Sequence, residues 1–198
     1  MADPAYIDPG TGALTDGDAW VEIQTQTLLD SDPEVSAVTF STGTGTQNFS
    51  QYLDMTVIGA IAGSGSGTIS SNSWYARFND DDSSSYRGLQ IYNTGSTLTH
   101  YNWGLTSQIQ PGDLPGNTDA GNVVGFFKMQ LHDTNAGKWT SGVAYTGSQI
   151  QSVATDYIRT STFQYQKTDA INEIKVYGSV GTRACRISLY GLLPKMVS

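Results

Sequence analysis

Cysteine is nearly absent from this chain. Cys185 stands alone, which excludes an intramolecular disulfide and any zinc site built from several cysteines. Charge is also scarce: Asp, Glu, Lys and Arg make up 14% of the 198 residues, where about 25% is usual. No basic residue precedes Arg77, whereas nine acids do, so the net charge of −8 belongs to the leading part of the chain. The remainder, with ten bases and nine acids, is close to neutral. That balance argues against a broad electrostatic grip on nucleic acid or on an anionic membrane. No apolar run approaches the ~20 residues of a membrane-spanning helix. The opening MADPAYIDPG has neither the basic nor the apolar region of a signal peptide, which is the expectation for assembly in a cytoplasm.

What is abundant is Gly, Ser and Thr, together one third of the chain, with aromatics at 11%. The first composition starves helices and favours short strands with many turns. The second supplies enough apolar surface for a core and excludes intrinsic disorder. Residues 1–18 carry Pro4, Pro9, Gly10, Gly12 and Gly17 with no period, and read as an extended acidic arm. From residue 19 to 198 the pattern is period two and reads as a single domain. Strands are expected at Trp20–Leu29, Val35–Phe40, Gln51–Ile61, Ser73–Asn79, Gly88–Asn93, Val123–Leu131, Ile171–Tyr177 and Arg183–Leu192. Lys138–Tyr145 and Thr162–Tyr165 read as edge or short strands, and Gln110–Asn122 as a loop. In Thr146–Arg159, Gly147 and the β-branched residues argue against a long helix. About eight to ten strands at this spacing describe an all-β, jelly-roll-like antiparallel sandwich. In Ala184–Leu192, Cys185 shares a face with Ile187 and Leu189, as a small buried hydrophobe would.

Candidates for chemistry are few. His100 and His132 are the only histidines, and His132 and Asp133, being adjacent on a strand, point to opposite faces. No G-x-S-x-G elbow is present, and none of the three glutamates pairs legibly with a second carboxylate. The expectation is therefore a protein without catalysis or cofactor. Asp80, Asp81 and Asp82 form the one concentrated set of hard oxygen ligands, as calcium prefers, but they lack EF-hand spacing and suit a hairpin tip equally well. Tyr92, Tyr101 and Trp103 lie in a polar stretch between strands and suit either stacking on a carbohydrate or a subunit contact.

Several short motifs carry a resemblance. The run Trp74-Tyr75-Ala76-Arg77-Phe78-Asn79-Asp80, the tip Ser83-Ser84-Ser85-Tyr86, and the endings Ile171-Asn172-Glu173-Ile174-Lys175-Val176 and Arg186-Ile187-Ser188-Leu189-Tyr190-Gly191-Leu192 resemble a group of tailed-bacteriophage virion proteins. Ala19-Trp20-Val21 and Tyr52-Leu53-Asp54 fit the same pattern, so the resemblance spans about Asp18 to Leu192. The three consecutive aspartates depart from it, since relatives often show Gly near that tip. The resemblance implies a jelly-roll-like fold and a structural role on the virion as a capsid decoration (cement) protein, or as a tail or head-fibre module that binds carbohydrate. It also implies a homo-oligomer, often a trimer, with Arg77 and Tyr86 bracing a hairpin, Leu189 in the core and Gly191 turning the chain as the last strand ends. For a decoration protein the partner is the major capsid protein, and the acidic arm with Asp3, Tyr6, Asp8, Asp16 and Asp18 is the expected contact.

Overall fold

The computed structural model describes residues 20–29, 35–42, 49, 52–63, 73–94, 97–113, 125–135, 137–150, 155–179 and 182–192. The expected arm, residues 1–18, lies outside them. The described residues form β1 (Trp20–Leu28), β2 (Val38–Ser41), β3 (Asp54–Gly63), β4 (Ser73–Phe78), β5 (Tyr86–Thr94), β6 (Thr97–Thr106), β7 (Ile109–Asp113), β8 (Gly125–His132), β9 (Thr140–Ile150), β10 (Thr155–Tyr165), β11 (Glu173–Gly178) and β12 (Thr182–Leu192). No α-helix occurs among these residues. Two antiparallel sheets face each other as a sandwich. One has eight strands in the order β1-β12-β3-β8-β9-β10-β5-β6, the other four in the order β2-β11-β4-β7.

Alternation builds the interface. In β8, Phe127, Met129 and Leu131 are buried while Phe126 faces outward, and in β11 Ile174 and Val176 are buried between half-exposed neighbours. These side chains meet those of the other sheet. The Trp74 ring of β4 lies 4.2 Å from Phe127 of β8, both almost wholly buried. Burying each such ring contributes about 1.5–3 kcal/mol. Cys185, Ile187 and Leu189 of β12 join the same core.

Twelve strands form where eight to ten were expected, and the differences have physical reasons. β6 pairs with β5 but has no neighbour beyond it among the described residues, and most of its side chains are exposed. Its alternation is therefore hidden. β7 occupies part of the expected Gln110–Asn122 loop and contains Pro111, which an edge strand tolerates because one side of its backbone needs no ladder partner. Large-sheet side chains cap its carbonyls: Gln90 Nε2 donates to Gln110 O, and Ser161 Oγ donates to Pro111 O at 3.2 Å. The expected edge or short strands are eleven-residue interior strands, β9 and β10, and they absorb most of Thr146–Arg159. They read as weak because their inward positions include Gly142, Ala144, Thr146 and Ser161, small or polar residues beneath the crowded second sheet.

Candidate functional site

The β4–β5 hairpin tip holds the aspartate triplet. Asn79 and Asp80 take left-handed backbone angles (φ 54° and 48°), which these two residue types tolerate better than most. Asn79 Oδ1 accepts from the backbone N–H groups of Asn172 (2.8 Å) and Glu173 (3.2 Å), and its Nδ2 donates to Ala170 O (3.0 Å). The tip is thereby tied to the segment leading into β11. Lys175 Nζ donates to Asp80 Oδ1 at 2.9 Å, and that contact holds the Asp80 carboxyl below the usual range. Asp81 Oδ1 accepts from the Ser83 N–H (2.9 Å) and hydroxyl (2.6 Å). Partial burial pushes the Asp81 carboxyl up, but hydrogen bonds from Ser83 and Ser85 outweigh it and the net direction is downward. The turn and Lys175 thus account for two of the three aspartates, and Asp82 faces solvent. Among the described residues no three His, Cys, Asp or Glu side chains form a metal-holding group.

Tyr86 braces this hairpin. Its buried hydroxyl accepts from Phe78 N–H (3.0 Å) and lies 3.2 Å from both Phe78 O and Asp81 O. Its ring stacks on Tyr165 (4.9 Å), and burial pushes its phenol well above the ordinary value. Arg77 behaves differently from expectation. Its guanidinium reaches Gln108 Oε1 (3.4 Å) and lies 5.5 Å from the centre of the Tyr177 ring, so it links the small sheet to the segment before β7. Gly191 sits in β12, one residue before its end, where any side chain would collide with the ring of Tyr52; the turn expected after the strand lies outside the described residues.

A second constellation lies between the sheets. Arg159 of β10 and Asp113 of β7 form an ion pair at 2.5 Å, with side chains 11% and 7% exposed. Ser73 Oγ donates to Asp113 Oδ1 (3.0 Å), Gln110 Nε2 donates to Ser73 Oγ (2.8 Å), and Arg159 Nη1 donates to Gln90 Oε1 (3.3 Å). Burial pushes the Asp113 carboxyl up, while Arg159 and the Ser73 hydrogen bond pull it back. The Arg159 guanidinium rests 4.7 Å from the Tyr92 ring centre.

The three aromatic candidates do not form one platform. Tyr92 covers Arg159, and Trp103 is 4% exposed, seated over Gly88 where any side chain would strike the indole. Tyr101 alone is open, at 57% exposure, on the rim of a groove shared with Tyr75 and Gln108. Trp103 is therefore corrected from a surface aromatic to a core residue. The inter-sheet ion pair was not legible in the sequence, since Asp113 and Arg159 stand 46 positions apart, one in a segment read as a loop and the other at the end of a stretch read only as unsuited to a long helix.

His132 finds its carboxylate across strands, in Asp54 of β3, with Nδ1 donating to Oδ2 at 2.9 Å. Asp54 Oδ1 in turn accepts the Asp133 N–H at 3.1 Å. Ser141 lies directly opposite His132 on β9, but no hydrogen bond joins them, so the arrangement does not activate a serine. Asp3, Tyr6, Asp8, Asp16 and Asp18 lie outside the described residues. No protein-family model matches the chain, and no curated protein matches it either.

Proposed function

We propose that this chain is a structural protein of a bacteriophage particle that decorates the outer capsid surface and stabilises the shell by binding, without chemistry. One observation supports the reading above others: three of the segments that carry the phage resemblance, 74–80, 83–86 and 171–176, pack as one unit. Ile174 of β11 pairs with Phe78 of β4, Tyr86 bonds Phe78 across the hairpin, and Asn79 bonds the Asn172–Glu173 backbone. In this reading the β-sandwich associates around a symmetry axis, as a trimer by the resemblance. The acidic leading residues, Asp3, Tyr6, Asp8, Asp16 and Asp18 among them, dock on the major capsid protein.

Deleting residues 1–18 tests it. The truncated protein is expected to keep the circular dichroism and unfolding transition of the full chain while losing occupancy on purified shells, read by cryo-electron microscopy. Full occupancy by the truncated chain would remove the arm from the proposal. A map placing the full-length protein away from the shell would remove capsid decoration.

A further inference from the structure

The four-stranded sheet covers only one face of the eight-stranded sheet. On the opposite face a shallow basin of about 510 Å³ opens over β8, β9, β10, β5 and β6. Strand register dictates what lines it. His132, Ser141, Gln164 and Arg87 are successive cross-strand neighbours, and Val143, Thr162, Leu89 and Asn102 form the row beside them. Cross-strand neighbours share a face, so these eight side chains point the same way.

The chemistry of the basin differs from that of the whole protein. The chain carries −8, yet among the described residues that line the basin there is no Asp or Glu, while Arg87 and His132 are there and the Asp54 carboxylate stands at the edge, paired with His132. Arg87 is exposed and makes no ion pair among the described residues. His132 is held in place by Asp54, which occupies Nδ1 and leaves Nε2 as the outward nitrogen. Asn102, Gln164, Ser141 and Thr162 add amides and hydroxyls that face both ways as donors and acceptors. Leu89 and Val143 flank Thr162 in the second row and supply two separate apolar patches.

We propose that this basin binds a saccharide bearing a carboxylate, a uronic acid or a sialic-acid-like sugar within a short oligosaccharide. A guanidinium fork matches a carboxylate in two parallel hydrogen bonds. The amides and hydroxyls match ring hydroxyls, and the exposed Leu89 side chain matches the C–H face of a pyranose. A single arginine in an acidic protein is too little charge for a phosphorylated or polyanionic ligand, which calls for a cluster of cations. Five strands at about 4.8 Å spacing extend over about 19 Å, the reach of a few linked sugar rings. The inference stands apart from the proposed place on a particle, since it rests on the outer sheet face alone.

The test titrates the full chain with 3′-sialyllactose and with a glucuronate-terminated galactose disaccharide, each bearing a single carboxylate, with lactose and galactobiose as neutral counterparts, using saturation-transfer NMR. At least one acidic sugar is expected to bind more tightly than the neutral ones. Arg87→Gln is expected to weaken it by about tenfold or more, the loss of one charge-assisted contact. Tyr101→Ala, on the opposite sheet face, is expected to leave it unchanged. Arg87 is a surface residue, and an unchanged circular dichroism spectrum establishes that the variant folds. Binding by no acidic sugar, equal binding by neutral sugars, or binding indifferent to Arg87→Gln would each overturn the proposal.

Discussion

Removing either partner of the Arg159–Asp113 pair is expected to destabilise the fold unequally. Breaking a buried ion pair typically costs about 3–5 kcal/mol because it strands the surviving charge. Here Asp113→Ala leaves a guanidinium that cannot lose its proton, although Gln90 and the Tyr92 ring still face it. Both side chains retain a little solvent contact, so about 3 kcal/mol is the reasoned value, equivalent to a fall of about 6–12 °C in Tm for a chain of this size. Arg159→Met is expected to cost less, about 2 kcal/mol, because burial already pushes the Asp113 carboxyl up and the group can escape by protonation. Its penalty should therefore shrink as pH falls through the carboxylate range. The double variant Asp113→Ala/Arg159→Met leaves no charge behind and should cost clearly less than the sum of the singles, with coupling of about 2 kcal/mol. Guanidinium unfolding followed by tryptophan fluorescence measures all three, provided the m-value is constant. Single variants costing under about 1 kcal/mol each and adding in the double would refute the reasoning, since the pair would then behave as a surface one.

Three further outcomes follow from the geometry. Tyr86→Phe strands the buried Phe78 N–H and should cost about 1–3 kcal/mol by the same unfolding measurement, with Phe78 amide exchange accelerated. Gly191→Ala forces the Tyr52 ring aside and should cost about 1–3 kcal/mol, whereas Gly104→Ala, whose new methyl meets nothing, should fall within about 0.5 kcal/mol of the parent. Asp80 and Asp81 have carboxyls held below their ordinary range, so their stabilisation is present above the unfolded carboxylate pKa and is lost as pH falls through the folded one. Stability measured between about pH 2 and 6 should decline on acidification with a shallower slope in Asp81→Asn than in the parent.

How much of this was legible depended on which face a residue occupies. The runs Phe127-Met129-Leu131 and Ile174-Val176 are buried on one side only, and their alternation gives strand and face together. β6 overhangs the smaller sheet and shows solvent on both sides, so its residues read as a polar stretch. β7 hides behind Pro111 and Gly112, tolerated only because it is an edge. The Asp80–Asp82 cluster looked like a ligand set because composition cannot reveal that Ser83 and Lys175 already engage two of its members. Trp103 looked exposed among polar neighbours, and its burial depends on Gly88, fifteen positions earlier, leaving room on the adjoining strand. The Asp54–His132 contact and the Arg159–Asp113 pair are products of cross-strand register, a long-range property that periodicity does not encode.

β12 is made after the other eleven strands yet lies inside the large sheet, between β1 and β3. Its contacts are as distant as Thr25 Oγ1 with Ser188 Oγ, 2.6 Å apart in space and 163 positions apart in sequence. During synthesis β1 and β3 therefore have no shared neighbour until β12 has emerged. Pairings of such separation are slow to form, because loop-closure entropy must be overcome before the contacts can reward it. Completion of the large sheet accordingly waits for β12, and meanwhile β1, which has no other neighbour in it, and β3, unpaired on one side, are exposed to mispairing between nascent chains.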